Sequence, residues 1–229
     1  ALIWASGKNR TGTGPRGELH THFKLNPTGD RLRLLGPEQP RTVASELEFG
    51  PQSPDHSYGY PTEGDAKVLR FFARPTPLQP NGASSITNQT AEVRFSVQRG
   101  YFDAPFRLTL ACETPGAVIR YTTNGSPPLA PGSLAYTEPL ALTASTVIRA
   151  AALAPDRVPS RSQTHTYLVG LPPEYRAIPS LSLVTDTNNL YGRTGIMEVR
   201  PRNTTKRGPE WERPVSMEYL EPGSGDGFQ

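Results

Sequence analysis

This sequence is short of cysteine, of long apolar runs and of clustered charge, and each shortage closes off a class of protein. One cysteine in 229 residues, Cys112, excludes an internal disulfide framework. It alternates with Phe106, Leu108 and Leu110, so a buried thiol is expected. No stretch approaches the ~20 apolar residues of a membrane-spanning helix. The net charge is only +3, from 24 Lys and Arg against 21 Asp and Glu, and the basic residues are scattered among the acids. A nucleic-acid groove would need a dense basic stripe, so no nucleic-acid partner is expected. Glycoside hydrolysis needs two carboxyl groups roughly 5 to 9 Å apart in a cleft. Asp103, Glu113, Glu138 and Asp156 instead fall near turns and strand ends, with nothing to pair them. The sequence therefore assigns no catalytic, cofactor-binding or metal-binding residue, and no cofactor.

Turn formers are what it has in quantity. Pro (25) and Gly (21) make up about a fifth of the chain and sit between short apolar runs. Nine Tyr, eight Phe and two Trp are enough for packed cores. Short apolar runs punctuated this way predict all-β architecture.

The stretch "GELHTHFKL", residues 17 to 25, poses the first chemical question. Strand alternation predicts Leu19, Thr21, Phe23 and Leu25 inward, with His20, His22 and Lys24 outward. The turn "NPTGD" leads to "RLRLLG", where Leu32 and Leu34 are predicted inward. Two histidines at i and i+2 can share a metal, but zinc needs at least three protein ligands. The only other candidate is His56, and Lys24 on the same face opposes a cation. An ordinary strand is the preferred reading.

The motifs "WASGKNR", "GELHTHFKL", "GDRLRLLGPEQ", "SPDHSYGYP" and "FFARPTPLQPNG" are similar to the second half of a bacterial lamin-tail domain. The resemblance implies an immunoglobulin-like β-sandwich over residues 1–74, whose opening strands would precede Ala1. Missing strands would uncover Ile3, Trp4 and Phe23 and leave the segment poorly stable alone. The abrupt start "ALIWASG" and the ending "GSGDGFQ" give the chain the look of an excerpt.

Residues 75–92 are rich in Pro, Asn, Ser and Thr without an apolar period, and read as a largely unstructured linker. From Val93 strand signals are dense. "VRFSV" puts Val93, Phe95 and Val97 on one face, and "FRLTLACE" follows in phase. "AVIRYTT" sets Ala117, Ile119 and Tyr121 opposite Val118 and Arg120, and "NGS" supplies an Asn-Gly turn. About seven strands in some eighty residues is the size of an immunoglobulin-like module. "PGAVIRYTTNGSPP", "LAYTEPLAL", "STVIRAAAL" and "QTHTYLV" resemble, in order and spacing, the fibronectin-III-like module at the C-terminus of chitobiase and β-hexosaminidases. The likeness spans residues 93–171, with Asn124 where that family often has Asp. It implies an accessory role, the catalytic barrel of such enzymes lying elsewhere. Tyr101, Tyr121 and Tyr136 would form a sugar-stacking platform only if exposed; a core position is the commoner fate of strand aromatics. The sequons at Asn88, Asn124 and Asn203 are given no role.

The last segment changes character. "IPSLSLVTD" predicts Leu181 and Leu183 inward, closed by a turn at Asp186–Asn189; "ERPVSMEYLEP" predicts Val215, Met217 and Tyr219 on one face. The loop between them carries Arg200, Arg202, Lys206 and Arg207, read as a solvated cluster because no glycine cradle or helix start accompanies it. "IPSLSLVTDTNNLYGRTGIM", "GPEWERPVSMEYLEP" and "GDGFQ" resemble the start of the CotH family of atypical secreted kinases. The ATP- and metal-binding residues of that family come later, so none carries over to residues 172–229.

The fold expectation is an all-β chain: a central, complete immunoglobulin/fibronectin-III-like β-sandwich, flanked by a truncated lamin-tail β-sandwich and the first strands of a CotH-like domain. The functional expectation is a non-catalytic scaffold region of an extracellular or cell-envelope bacterial multidomain protein, spacing a CotH-like domain. The competing expectation is a carbohydrate-binding or adhesion module. A cell-surface polysaccharide or a protein is the expected partner class, and the chain is expected to be monomeric.

Overall fold

A computed structural model describes residues 2–12, 18–53, 56–62, 68–82, 85–200, 202–223 and 227–228. The chain divides into two compact units, residues 1–89 with 156–158, and residues 90–155 with 159–229. Nearly every element is a strand.

The first unit is built from small separate ladders. Ile3–Trp4, Leu19–His20 and Arg10–Thr11 form a three-stranded sheet with Leu19–His20 in the middle. Asp30–Leu35 pairs antiparallel with Val43–Phe49, and Ser57–Gly59 with Arg70–Phe72. Phe71 and Phe72 are buried, and Tyr58 packs on Phe71 with ring centroids 4.6 Å apart. The 30–49 hairpin alternates as the sequence predicts, but neither face is covered by other described residues. One carries cross-strand ion pairs, Arg31–Glu48 and Arg33–Glu46 at 2.7 Å each. The other carries Leu32 and Leu34, both exposed, Leu34 to 64%.

The inward assignments in this unit fail. Leu19, Phe23 and Leu25 are exposed, whereas the His20 side chain is only 8% exposed. His20 stacks on Trp4 and hydrogen-bonds to Ser6 Oγ at 2.8 Å. Alternation fixes which residues share a face, but only a second layer makes that face an interior. No such layer covers these leucines among the described residues. Ile3 and Trp4 are exposed with them. The stretch read as an unstructured linker also holds order: Ile86 pairs through its backbone with Phe71, and Asn88–Gln89 runs parallel to Arg157–Val158. Backbone pairing needs no apolar period and so leaves no pattern in the residues.

The second unit contains an immunoglobulin/fibronectin-III-like sandwich. One sheet orders Gly100–Phe102, Gln163–Val169, Thr146–Leu153, Val118–Thr122 and Leu134–Ala135. The facing layer pairs Arg94–Phe95 with Leu110–Ala111, and Phe106–Leu108 with Leu140–Leu142. The predicted alternation holds: Val93, Phe95, Leu108, Leu110, Ile119 and Ile148 meet in one core, with Val97, Phe106, Cys112, Ala117 and Tyr121 packed against it. Cys112 is half-buried and its thiol donates to the Ala91 carbonyl at 3.2 Å. The Asn-Gly turn also forms. Gly125 takes φ +81°, Asn124 Oδ1 accepts from Ser126 N at 3.1 Å, and a Cβ on Gly125 would stand 2.5 Å from the Thr185 carbonyl. Glycine is required there by conformation and by space.

The described residues from 172 onward fold onto this sandwich. Ser180–Val184 pairs antiparallel with Ser216–Leu220, and Gly227–Phe228 extends the sheet. Leu181 and Leu183 face outward, not inward as predicted, while Val215, Met217 and Tyr219 do share one face. Leu181 (56%), Leu183 (61%), Val215 (54%) and Met217 (43%) are exposed, while Val184, Glu218 and Leu220 are buried. The inner face is chosen by what it meets, the hydroxyl-bearing face of Gln163–Val169, where a carboxylate is better satisfied than a leucine. The region Asp186–Asn189 is a one-turn helix, Thr187–Leu190, with Asp186 at its N-cap accepting from Asn188 N at 2.8 Å.

Candidate functional site

Two features of the second unit concentrate polar chemistry: a buried joint at Glu218 and a groove beside it. Both follow from local sequence. In Gln163–Val169 the residues His165, Tyr167 and Val169 share the core-facing phase, leaving Thr164 and Thr166 on the other face. Glu218 lies opposite Ser182 in the C-terminal ladder, so the two polar groups arrive together at Thr166.

At the joint, Glu218 is completely buried. Its carboxylate accepts from Thr166 Oγ1 at 2.5 Å and from Thr166 N at 3.3 Å, and Arg99 Nη1 lies 3.2 Å away. The Thr166 hydroxyl is 2.7 Å from Ser182 Oγ. Burial raises the Glu218 pKa; the Thr166 hydroxyl bond, the Arg99 charge and the Thr166 backbone bond pull against it. A buried carboxylate with three such partners fixes geometry more than it stabilises, because desolvation consumes much of the Coulomb gain. A second attachment is Tyr101, whose hydroxyl donates to the Ile178 carbonyl at 2.8 Å and lies 2.7 Å from Ser180 Oγ. Arg176 pairs with Asp103 as a third.

The groove encloses about 1020 Å³ between the 91–99 stretch, the 161–165 stretch, Asp186 and Asn189, and the 214–217 stretch. Its walls are strongly polar. Arg94 pairs with Glu113 at 2.6 Å, and Gln163 Nε2 donates to Glu92 at 2.6 Å. Arg149 Nη1 donates to the Gly125 carbonyl at 2.6 Å; burial lowers its pKa while the charge of Asp186 opposes that shift. His165 forms part of the floor, stacked on Phe95 with centroids 4.0 Å apart and planes within 5°. Burial, then the nearby Arg99 charge, depresses its pKa to about 4, so it is neutral at physiological pH. Burial likewise pushes the Tyr167 phenol far upward, and its hydroxyl donates to the Val97 carbonyl at 2.9 Å.

The residues singled out from sequence are not brought together. Tyr121 and Tyr136 pack half-buried against the sandwich core, and Tyr101 is used at the joint, so these three tyrosines offer no stacking platform. His20 is held by Ser6 and Glu18, and His22 sits edge-on to Phe23. Among the described residues no three His, Cys, Asp or Glu side chains converge to hold a metal. Of the acids, Glu113 pairs with Arg94 and Asp103 with Arg176; Glu138 and Asp156 are exposed. In the basic loop, Arg207 donates to the Thr204 carbonyl at 2.9 Å, and Lys206 lies 4.2 Å over the Trp211 ring. Asn203 of the third sequon is buried, its amide holding the Arg193 and Gly195 carbonyls at 3.0 Å each. Sequence reasoning missed His165, Glu218 and Arg149. A signal existed for the first: His165 lies in phase with Tyr167 and Val169.

No helix among the described residues is long and apolar enough to cross a membrane. No curated protein matches the chain. The family likeness found is confined to the sandwich, where residues 97–164 match the chitobiase/beta-hexosaminidase C-terminal domain, an accessory domain of carbohydrate-active enzymes.

Proposed function

We propose that the chain is a non-catalytic accessory region of a larger secreted bacterial protein, in which a rigid β-sandwich presents the segment that follows it. The observation that carries this reading is the Glu218 joint. A presenting module must hold its neighbour at a fixed angle, and the sandwich holds residues 180–184 and 216–220 through a buried, fully engaged carboxylate. The match of residues 97–164 to an accessory-domain family supports the same role. On the motifs quoted above, residues 1–74 are the lamin-tail-like flank and residues 172–229 the start of a CotH-like domain. An extracellular or envelope location belongs to this reading.

The test is made on the 229-residue chain. Isothermal titration with ATP and magnesium is expected to give no binding, and chito-oligosaccharides are expected to remain unhydrolysed on prolonged incubation. Saturable nucleotide affinity, or glycosidic turnover above a heat-denatured control, refutes the accessory reading.

A further inference from the structure

Among the described residues, the groove holds one cation that meets no partner. Of its four arginines, Arg94 is met by Glu113, Arg99 by Glu218, and Arg149 by the Gly125 carbonyl and the charge of Asp186. Arg161 is half-buried in the wall, and its guanidinium meets no carboxylate and no hydrogen-bond acceptor among the described residues. The Gln98 amide and the Ser162 hydroxyl line the same groove, also without a partner among the described residues. The groove's carboxylates are spoken for: Glu92 by Gln163, Glu113 by Arg94, and Asp186 by Asn188 N at 2.8 Å. Glu92 keeps its charge beside the neutral Gln163 amide, so Arg161 serves as a local anchor for an anion and not through a net positive field of the groove.

We propose that this groove binds an acidic oligosaccharide, with a carboxylate received by Arg161 and ring hydroxyls by Gln98 and Ser162. Guanidinium is suited to the carboxylate because its planar fork makes two parallel hydrogen bonds. An amide offers a donor and an acceptor side by side, which matches vicinal hydroxyls. At about 1020 Å³ the groove lies at the upper end of the range for ligand sites, and so has room for an oligomer. The inference does not rest on the accessory role, since a binding groove serves catalytic and non-catalytic modules alike.

The experiment is calorimetric titration of the full chain with tetragalacturonate, its methyl ester, and tetraglutamate. The expected result is saturable binding of the tetragalacturonate, with at least tenfold weaker binding of the other two. Arg161→Gln is expected to weaken binding at least tenfold with an unchanged melting temperature, since its side chain holds nothing in the fold. Arg107→Gln, an exposed arginine outside the groove, serves as control and leaves affinity unchanged. Absence of saturable tetragalacturonate binding, equal affinity for the methyl ester, equal or tighter binding of tetraglutamate, or an Arg161→Gln protein that binds like the parent overturns the proposal.

Discussion

His165 should make this fold acid-labile, and the size of the effect follows from its surroundings. The imidazole is 4% exposed, stacked on Phe95, with the Arg99 charge nearby. Its pKa falls from 6.5 to about 4. The folded-state value is the depressed one, so on acidification the unfolded chain takes up the proton first. The stability contribution is therefore complete above pH 6.5 and is lost as pH falls through about 4, below which both states are protonated. A gap of two to three units at ~1.4 kcal/mol each gives a loss of about 3 kcal/mol between neutral pH and pH 4. That is a large share of the ~5–15 kcal/mol typical of a domain. His165→Phe keeps a ring against Phe95 and removes the titrating group, along with a buried Nδ1 that has no hydrogen-bond partner among the described residues. Urea denaturation at pH 7, 6, 5 and 4, followed by circular dichroism, would compare the two proteins. The variant should match or exceed the parent at pH 7 and gain on it steadily, by about 3 kcal/mol at pH 4. Parallel stability curves for the two proteins would refute the assignment of acid sensitivity to this residue.

Further outcomes follow from packing and turns. Leu108→Ala empties a fully buried site and should cost about 2–5 kcal/mol by denaturant titration. Glu218→Ala leaves the Arg99 cation without its carboxylate, and should cost about 3–5 kcal/mol while loosening residues 180–184 and 216–220 toward proteolysis. Gly125→Ala places a Cβ 2.5 Å from the Thr185 carbonyl at φ +81°, and should lower the melting temperature by several degrees, corresponding to at least ~1 kcal/mol. Arg31→Ala removes only exposed, solvent-screened cross-strand pairs and should leave the denaturation midpoint unchanged within error.

The sandwich was legible in the sequence because its strands are packed on a second layer, so that alternation from Val93 to Cys112 and around Ile119 translates into burial. The Asn-Gly turn was legible for the same local reason. The flanks were not. Along Leu19–Leu25 and Leu32–Leu34 the alternation is real, but no described layer turns the apolar face into an interior. In the C-terminal ladder the apolar residues outnumber the polar ones, so counting them chose the wrong face. The right one depended on Thr166, some fifty residues away, presenting a hydroxyl and an amide to Glu218. The groove was invisible in principle, since its walls come from seven separated parts of the chain and its character lies in which arginine is left over.

Native-state hydrogen exchange tests the account's central claim most directly, because a presenting module must open as one body. Amides of the paired strands Ser180–Val184 and Ser216–Leu220 should be protected to within about tenfold of those flanking Ile148 and Tyr167, a gap of ~1.4 kcal/mol. Exchange of those C-terminal amides thousands of times faster, while the sandwich stays protected, would show that Glu218 fastens nothing and would contradict the account.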